Sequence, residues 1–319
     1  MVLTNQGILK LSIASAFFFA VASAGNSVLA GDVVPESQFA IDPSLRRIRM
    51  LMVEKRYKEA KAPLEVYLKR KPRSALALLY RSRCFVDGNQ YREALQDLKA
   101  AEKIDPTNCE VHGDEANIYA MLKQYDNAIA AASASIKYRR GNQNKNMFHL
   151  RSMMYSAKGQ YPKAIEDMTA FIDAAPDKYR AYAWRGTAYE QNQQMDRAIA
   201  DYRTALKKSG NYEYRFYIAR AFQKMGRMND AVAEMTAVVK QNPEEDEAWI
   251  KRATLYFDMA KYKEAIHDYT QALETSFGSN ETIYRARARA YEKLGQKDLA
   301  QKDLKKAEEL QKKPTVSPI

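Results

Sequence analysis

The stretch AYAWRGTAYEQNQQMDRAIADYRTA, Ala181 to Ala205, decides the fold. Tyr182, Gly186 and Tyr189 recur at i, i+4 and i+7, the spacing of one helical face. Gln193-Gln194 interrupts the pattern, and Ala198, Tyr202 and Ala205 resume it with the same spacing. Two short amphipathic helices joined by a tight turn are therefore expected. Outward from this stretch the unit recurs. The alanine that opens the second helix falls at Ala60, Ala94, Ala128, Ala164, Ala198, Ala231, Ala265 and Ala300, at intervals of 34, 34, 36, 34, 33, 34 and 35 residues.

The recurrence has a steric logic. Where two antiparallel helices cross closely, a side chain larger than alanine forces them apart. The facing positions of the first helices are Ser82, Ala116, Ser152, Gly186, Ala219, Ala253 and Ala288, with Ile48 in the first copy as the exception expected of a terminal repeat. Large aromatics follow, Phe85, Tyr119, Tyr155, Tyr189, Phe222, Tyr256 and Tyr291, and are expected to fill the space where neighbouring copies meet.

On these residues the chain resembles the tetratricopeptide-repeat family, whose helix-turn-helix unit has a period of about 34 residues. The resemblance implies an all-α, right-handed superhelical solenoid of about eight helix-turn-helix repeats over residues 41–313, with the first helices lining a groove. The best-known subtype of the family grips a chaperone's C-terminal carboxylate with Lys and Asn at fixed first-helix sites. Asn117 matches one of them, but Gly113 and Leu150 stand where a Lys and a second Asn belong, so that subtype is not expected.

Two features of the register bear on packing. Copies with Asp in the second helix (Asp97, Asp167, Asp201, Asp268, Asp303) also carry Arg in the first (Arg81, Arg151, Arg185, Arg252, Arg287). Copies with Glu115 or Ile218 in place of the Arg have Ala131 or Glu234 in place of the Asp. Salt bridges within each helix pair are expected, each contributing about 0–1 kcal/mol if exposed. Cys84 lies mid-helix and Cys109 at the start of the next first helix, roughly 13 Å apart along the axis at 1.5 Å per residue. A disulfide needs Cα atoms within about 7 Å, so both thiols should be buried and unbridged.

No motif for catalysis stands out: HExxH, paired CxxC, a Walker-type loop and G-x-S-x-G do not occur. His112, His149 and His267 sit in three different copies, and His112 takes a packing position. The reading is of a non-enzyme with no cofactor and no metal. Formal net charge is +12, which favours an acidic partner, although a solvated basic face explains it as well. Single-stranded RNA is the weaker alternative, because the aromatics occupy packing positions.

The N-terminus reads as a targeting segment. Leu11 to Ala24 is uncharged and apolar, preceded by Lys10, and small-x-small sites end at Ala24 and Ala30. Residues 1–30 are expected to be an export signal, the alternative being a retained anchor over residues 11–30; residues 31–40 form a linker and 314–319 a loose tail. The protein would then act outside the cytoplasm, periplasmic or secreted. No second apolar segment follows, and mean hydropathy is −0.56.

The functional expectation is a protein-protein interaction scaffold that binds a peptide or partner helix in the groove. The residues expected to present to the partner are Tyr80, Arg83, Asn117, Trp184, Tyr217, Arg220, Lys251 and Arg289, since Tyr, Trp and Arg are enriched at binding hot spots. The alternative is a structural protein that self-associates or coats an anionic envelope surface through its basic face. The sequence does not give the oligomeric state.

Overall fold

The computed structural model describes residues 43–141, 144–276 and 280–312. The signal, linker and tail expected at residues 1–30, 31–40 and 314–319 lie outside them. The described residues form sixteen α-helices and no strand. They divide into two compact units, the first ending at Pro176 and the second beginning at Asp177.

Four helix pairs make up the first unit: α1 (Pro43–Val53) with α2 (Tyr57–Arg70), α3 (Ala75–Asp87) with α4 (Tyr91–Ile104), α5 (Cys109–Met121) with α6 (Tyr125–Tyr138), and α7 (Asn146–Ala157) with α8 (Tyr161–Ala174). The second unit has four more: α9 (Tyr179–Gln191) with α10 (Met195–Ser209), α11 (Glu213–Lys224) with α12 (Met228–Gln241), α13 (Asp246–Asp258) with α14 (Tyr262–Thr275), and α15 (Glu281–Lys293) with α16 (Lys297–Lys312). Within a unit each second helix also packs on the next first helix, so the units are stacks of pairs.

The turn inside each pair is the same device eight times over. One residue adopts a left-handed conformation: Lys55, Asn89, Lys123, Gly159, Gln193, Gly226, Ala260 and Gly295, with φ between 57° and 75°. Each lies five residues before its alanine marker. The next N–H donates back five residues to the last-turn carbonyl of the first helix, as in Gln90 to Phe85, Gln160 to Tyr155 and Gln194 to Tyr189, all at 2.8 Å. This is a Schellman closure, and it satisfies carbonyls that the helix end would otherwise leave open.

The crossing positions behave as the spacing predicts. All eight marker alanines are buried, and so are Ser82, Ala116, Ser152, Gly186, Ala219, Ala253 and Ala288. At Gly186 a Cβ would lie 2.8 Å from Cε1 of Tyr202, so the pair α9–α10 closes only over glycine. Both cysteines are buried and neither forms a disulfide.

The Arg–Asp pairs form in all five copies, each bidentate and each 16 residues apart, at 2.6–2.9 Å. One expectation needs correcting. The aspartates are not exposed: their side chains keep only 1–8% of their accessible surface. The same guanidinium lies 5.8–5.9 Å from the ring four residues on, Phe85, Tyr155, Tyr189, Tyr256 or Tyr291, so each Arg is held between a buried carboxylate and an aromatic. The copies without this pair replace it. Glu115 meets Lys99 of the preceding helix, and Glu234 meets Arg215.

The lengthened interval after Ala128 is absorbed between α6 and α7. Asn144 reaches back, its amide donating at 2.7 Å to the Cys109 carbonyl, which Ser135 also serves. A Cβ on Gly113 would come 3.0 Å from that Asn144 amide nitrogen. The position where a Lys is wanted for carboxylate gripping is thus occupied by a neighbour's side chain.

Candidate functional site

In the first unit, Tyr80 and Arg83 come from α3 and Asn117 from α5. Tyr80 is half-buried against the core that runs from Leu45 to Ile118, and Asn117 is half-buried as well. Arg83 is engaged: Nε donates to Asp114 at 2.6 Å and a terminal nitrogen to Glu110 at 3.0 Å. With 14% of its side chain exposed, Arg83 joins α3 to α5 more than it addresses solvent.

The second unit gathers the other five. Its first helices carry Trp184 on α9, Tyr217 and Arg220 on α11, Lys251 on α13 and Arg289 on α15. Trp184 and Tyr217 are 36% and 38% exposed, large for aromatic side chains in a packed stack. Beneath Tyr217 lies a ladder of rings: Tyr202 stacks on it at 5.4 Å, Tyr214 lies 6.1 Å away and Tyr179 meets Tyr214 edge-on at 6.3 Å. Burying one ring of the ladder fixes the exposed one, so Tyr217 is presented rigidly.

The charges around this ladder are arranged on one buried carboxylate. Glu190, at the end of α9, accepts from Nε and one terminal nitrogen of Arg220 at 3.0 and 2.8 Å, from the Tyr202 hydroxyl at 2.9 Å and from the Lys224 ammonium at 2.8 Å. Burial alone would raise its pKa, but Arg220 and Lys224 more than offset that and hold it below the usual range. Arg220 also lies 5.0 Å over the Tyr217 ring. Lys251 donates to Gln223 at 3.0 Å, and burial together with the Arg220 charge pushes its pKa down. Arg289 is exposed and lies 5.2 Å over the Phe257 ring. Glu190 faces Arg220 and Lys224, while Asp258 and Glu247 face Lys251, so cations and acids alternate along this face.

Sequence reasoning missed Glu190 and the ladder. The run of tyrosines from Tyr179 to Tyr217 was the available signal for the ladder. Glu190 had none, because it follows the packing aromatic of its helix and reads as solvated. The small residues Thr187 and Thr254 repay attention: each hydroxyl sits 3.3 Å from a buried Tyr hydroxyl, Tyr202 and Tyr269, tying first helix to second. His112 lies in the core as its position suggested, 4% exposed and stacked on Tyr138 at 5.7 Å. It does not pack there alone, since Glu102 and Glu115 close on it.

With the fold and this face described, comparison with known proteins places the chain. The sequence pattern of the tetratricopeptide repeat matches residues 47–108, 154–213, 218–273 and 282–314, and the chain belongs to the tetratricopeptide-repeat family. The matches pass over 109–153, where the interval lengthens. DnaJ homolog subfamily C member 3 of Homo sapiens is 24% identical over 196 residues, 61% of this chain and 35% of that protein. Hsp70-Hsp90 organizing protein 3 of Arabidopsis thaliana is 22% identical over 163 residues, 49% of this chain and 29% of that one. The chain thus spans about a third of the length of these relatives. Among solved structures, a tetratricopeptide repeat protein from Parabacteroides merdae superposes with TM-score 0.53 at 23% identity, covering 74% of this chain and 93% of that one. Naa15/Naa10 bound to HypK-THB gives TM-score 0.54 at 17% identity, covering 78% and 38%. These likenesses show the fold.

Proposed function

We propose that the chain is a non-catalytic protein-interaction scaffold whose second unit holds an acidic peptide or partner helix against α9, α11, α13 and α15. The observation that carries this reading is the pair of exposed aromatics, Trp184 and Tyr217, with Arg220 lying over the Tyr217 ring and Lys224 beside it on Glu190. Rigid aromatics supply contact area at little entropic cost, and Arg is the charged residue most used at such sites. Arg220 is the pivot. It neutralises Glu190 from within and can offer its outer edge to a partner carboxylate. The relatives' names, one a DnaJ homolog and one an Hsp70-Hsp90 organizing protein, agree with a protein ligand. The export expected from residues 1–30 would set this binding outside the cytoplasm, with anchoring by residues 11–30 as the variant of that reading.

A second reading, self-association or coating of an anionic envelope surface, draws on the net charge of +12. Salt separates the two. Adhesion through exposed charge should collapse between about 50 and 200 mM salt, because screening lengths shorten toward 8 Å. Capture from envelope fractions, with wild type beside the Trp184→Ala/Tyr217→Ala variant, tests the first reading. A bound protein that survives 200 mM salt and is lost in the variant supports it. Material bound equally by both, and washed off by salt, overturns it.

A further inference from the structure

The expectation that the chain holds no metal meets a cluster in the first unit that motif spacing does not reveal. Glu102 from α4 and His112 and Glu115 from α5 bring one ligand atom each to within 4.8 Å of one another. The imidazole is oriented from both sides. Its Nε2–H donates to the Pro106 carbonyl at 2.8 Å, and the Tyr138 ring stacks on its face. Nδ1 is thereby directed at the two carboxylates, 3.7 Å from Glu115 Oε2 and 3.9 Å from Glu102 Oε1. A backbone carbonyl holding the far N–H of a histidine is the usual support of a metal-ligating imidazole.

The geometry points to a divalent transition-metal site, of zinc type, formed by His112 Nδ1, Glu102 and Glu115, with Lys99 standing in for the metal. Ligands at 2.0–2.2 Å around a tetrahedral zinc are separated by about 3.4 Å, so the two nitrogen–oxygen distances need to contract by only a few tenths of an ångström. Glu115 is 2% exposed, and its Oε1 makes no hydrogen bond. The Lys99 ammonium is the cation paired with that oxygen, at 3.0 Å, and it also bonds Glu102 at 2.8 Å. One ammonium is thus shared between two carboxylates, leaving a net negative charge that a divalent ion would balance. Lys99 is half exposed, at 49%, and can swing into solvent as a metal enters. Two carboxylates and a neutral imidazole then balance a divalent ion, and water takes the fourth position.

Calorimetric titration of the full chain with zinc chloride at neutral pH, after removal of any affinity tag, tests this. One zinc per chain is expected, with at least tenfold weaker binding in His112→Gln and in Glu102→Gln. Glu102 is partly exposed, so that variant should fold even if a change at buried Glu115 does not. Lys99→Met should bind zinc at least as tightly as wild type, because the competing ammonium is gone. No saturable binding, or equal binding in His112→Gln and Glu102→Gln, would overturn the site. So would loss of binding in Lys99→Met.

Discussion

At the scale of single residues, Arg252 and Asp268 show what a buried ion pair does here. Their side chains are 12% and 1% exposed, and the guanidinium meets the carboxylate twice, at 2.7 and 2.9 Å. Taking both charges from water costs nearly what their attraction returns, whereas removing one partner leaves a charge stranded. Arg252→Met should therefore cost about 3–5 kcal/mol in urea unfolding, and Arg252→Met/Asp268→Leu much less. Equal losses in the two variants would refute that reasoning. Gly186 makes a steric case. With Tyr202 Cε1 2.8 Å from where a Cβ would stand, Gly186→Val should lower stability by about 1–3 kcal/mol. The pairing of Arg with Asp was legible in the sequence because the two covary among copies of one chain. The burial of the aspartates was not, since exposure depends on how the aromatic four residues after each Arg packs, and no spacing encodes that.

At the scale of an element, the turns and the packed helix faces give two further tests. Ala260 holds a left-handed φ of 57° at a turn where Gly159, Gly226 and Gly295 serve three sister copies. Ala260→Gly should stabilise the protein by about 0.5–1 kcal/mol, the reverse of the usual effect of glycine, because a Cβ is strained there. A lower thermal midpoint would contradict this. On α7, burial pushes His149 down to about 4 from 6.5. Between those two values the unfolded chain takes up a proton that the folded chain refuses. Stability should fall by on the order of 2 to 3 kcal/mol as pH drops from about 6.5 to about 4, and no further below that. His149→Leu should flatten this slope in urea midpoints measured from pH 7 to 4; an unchanged slope would assign the effect elsewhere. The helices and their turns were legible from periodicity and from Gly159-Gln160 and Gln193-Gln194. The link that follows α6 was legible only as a lengthened interval, because the contact that settles it, Asn144 to the Cys109 carbonyl, joins residues 35 apart.

At the scale of the whole molecule, the repeat fixes architecture and leaves function to a few positions. Two stacks of four helix pairs follow from eight copies of one unit, and the family match agrees. The candidate site was partly legible: the first-helix register placed Trp184 and Tyr217 at the surface, and they are there. The same register offered Arg83, which Asp114 and Glu110 engage, and it gave no sign of Glu190, whose pairing with Arg220 organises the face. Register tells which side of a helix a residue occupies, but ion pairs between neighbouring helices decide what that side presents. Charge around Glu190 also predicts that Lys224→Ala leaves the fold intact, since Arg220 and Tyr202 still serve the carboxylate, while weakening any acidic ligand severalfold in a binding titration.

The central claim is that the partner lies against the first helices of the second unit. Site-specific photo-crosslinking tests it most directly, with a photoreactive residue replacing Tyr217 and, as a control, exposed Lys207 on α10. A protein crosslinked from position 217 and not from 207, in 200 mM salt, is the predicted result. Crosslinks from both positions alike, or from 207 alone, would contradict the account.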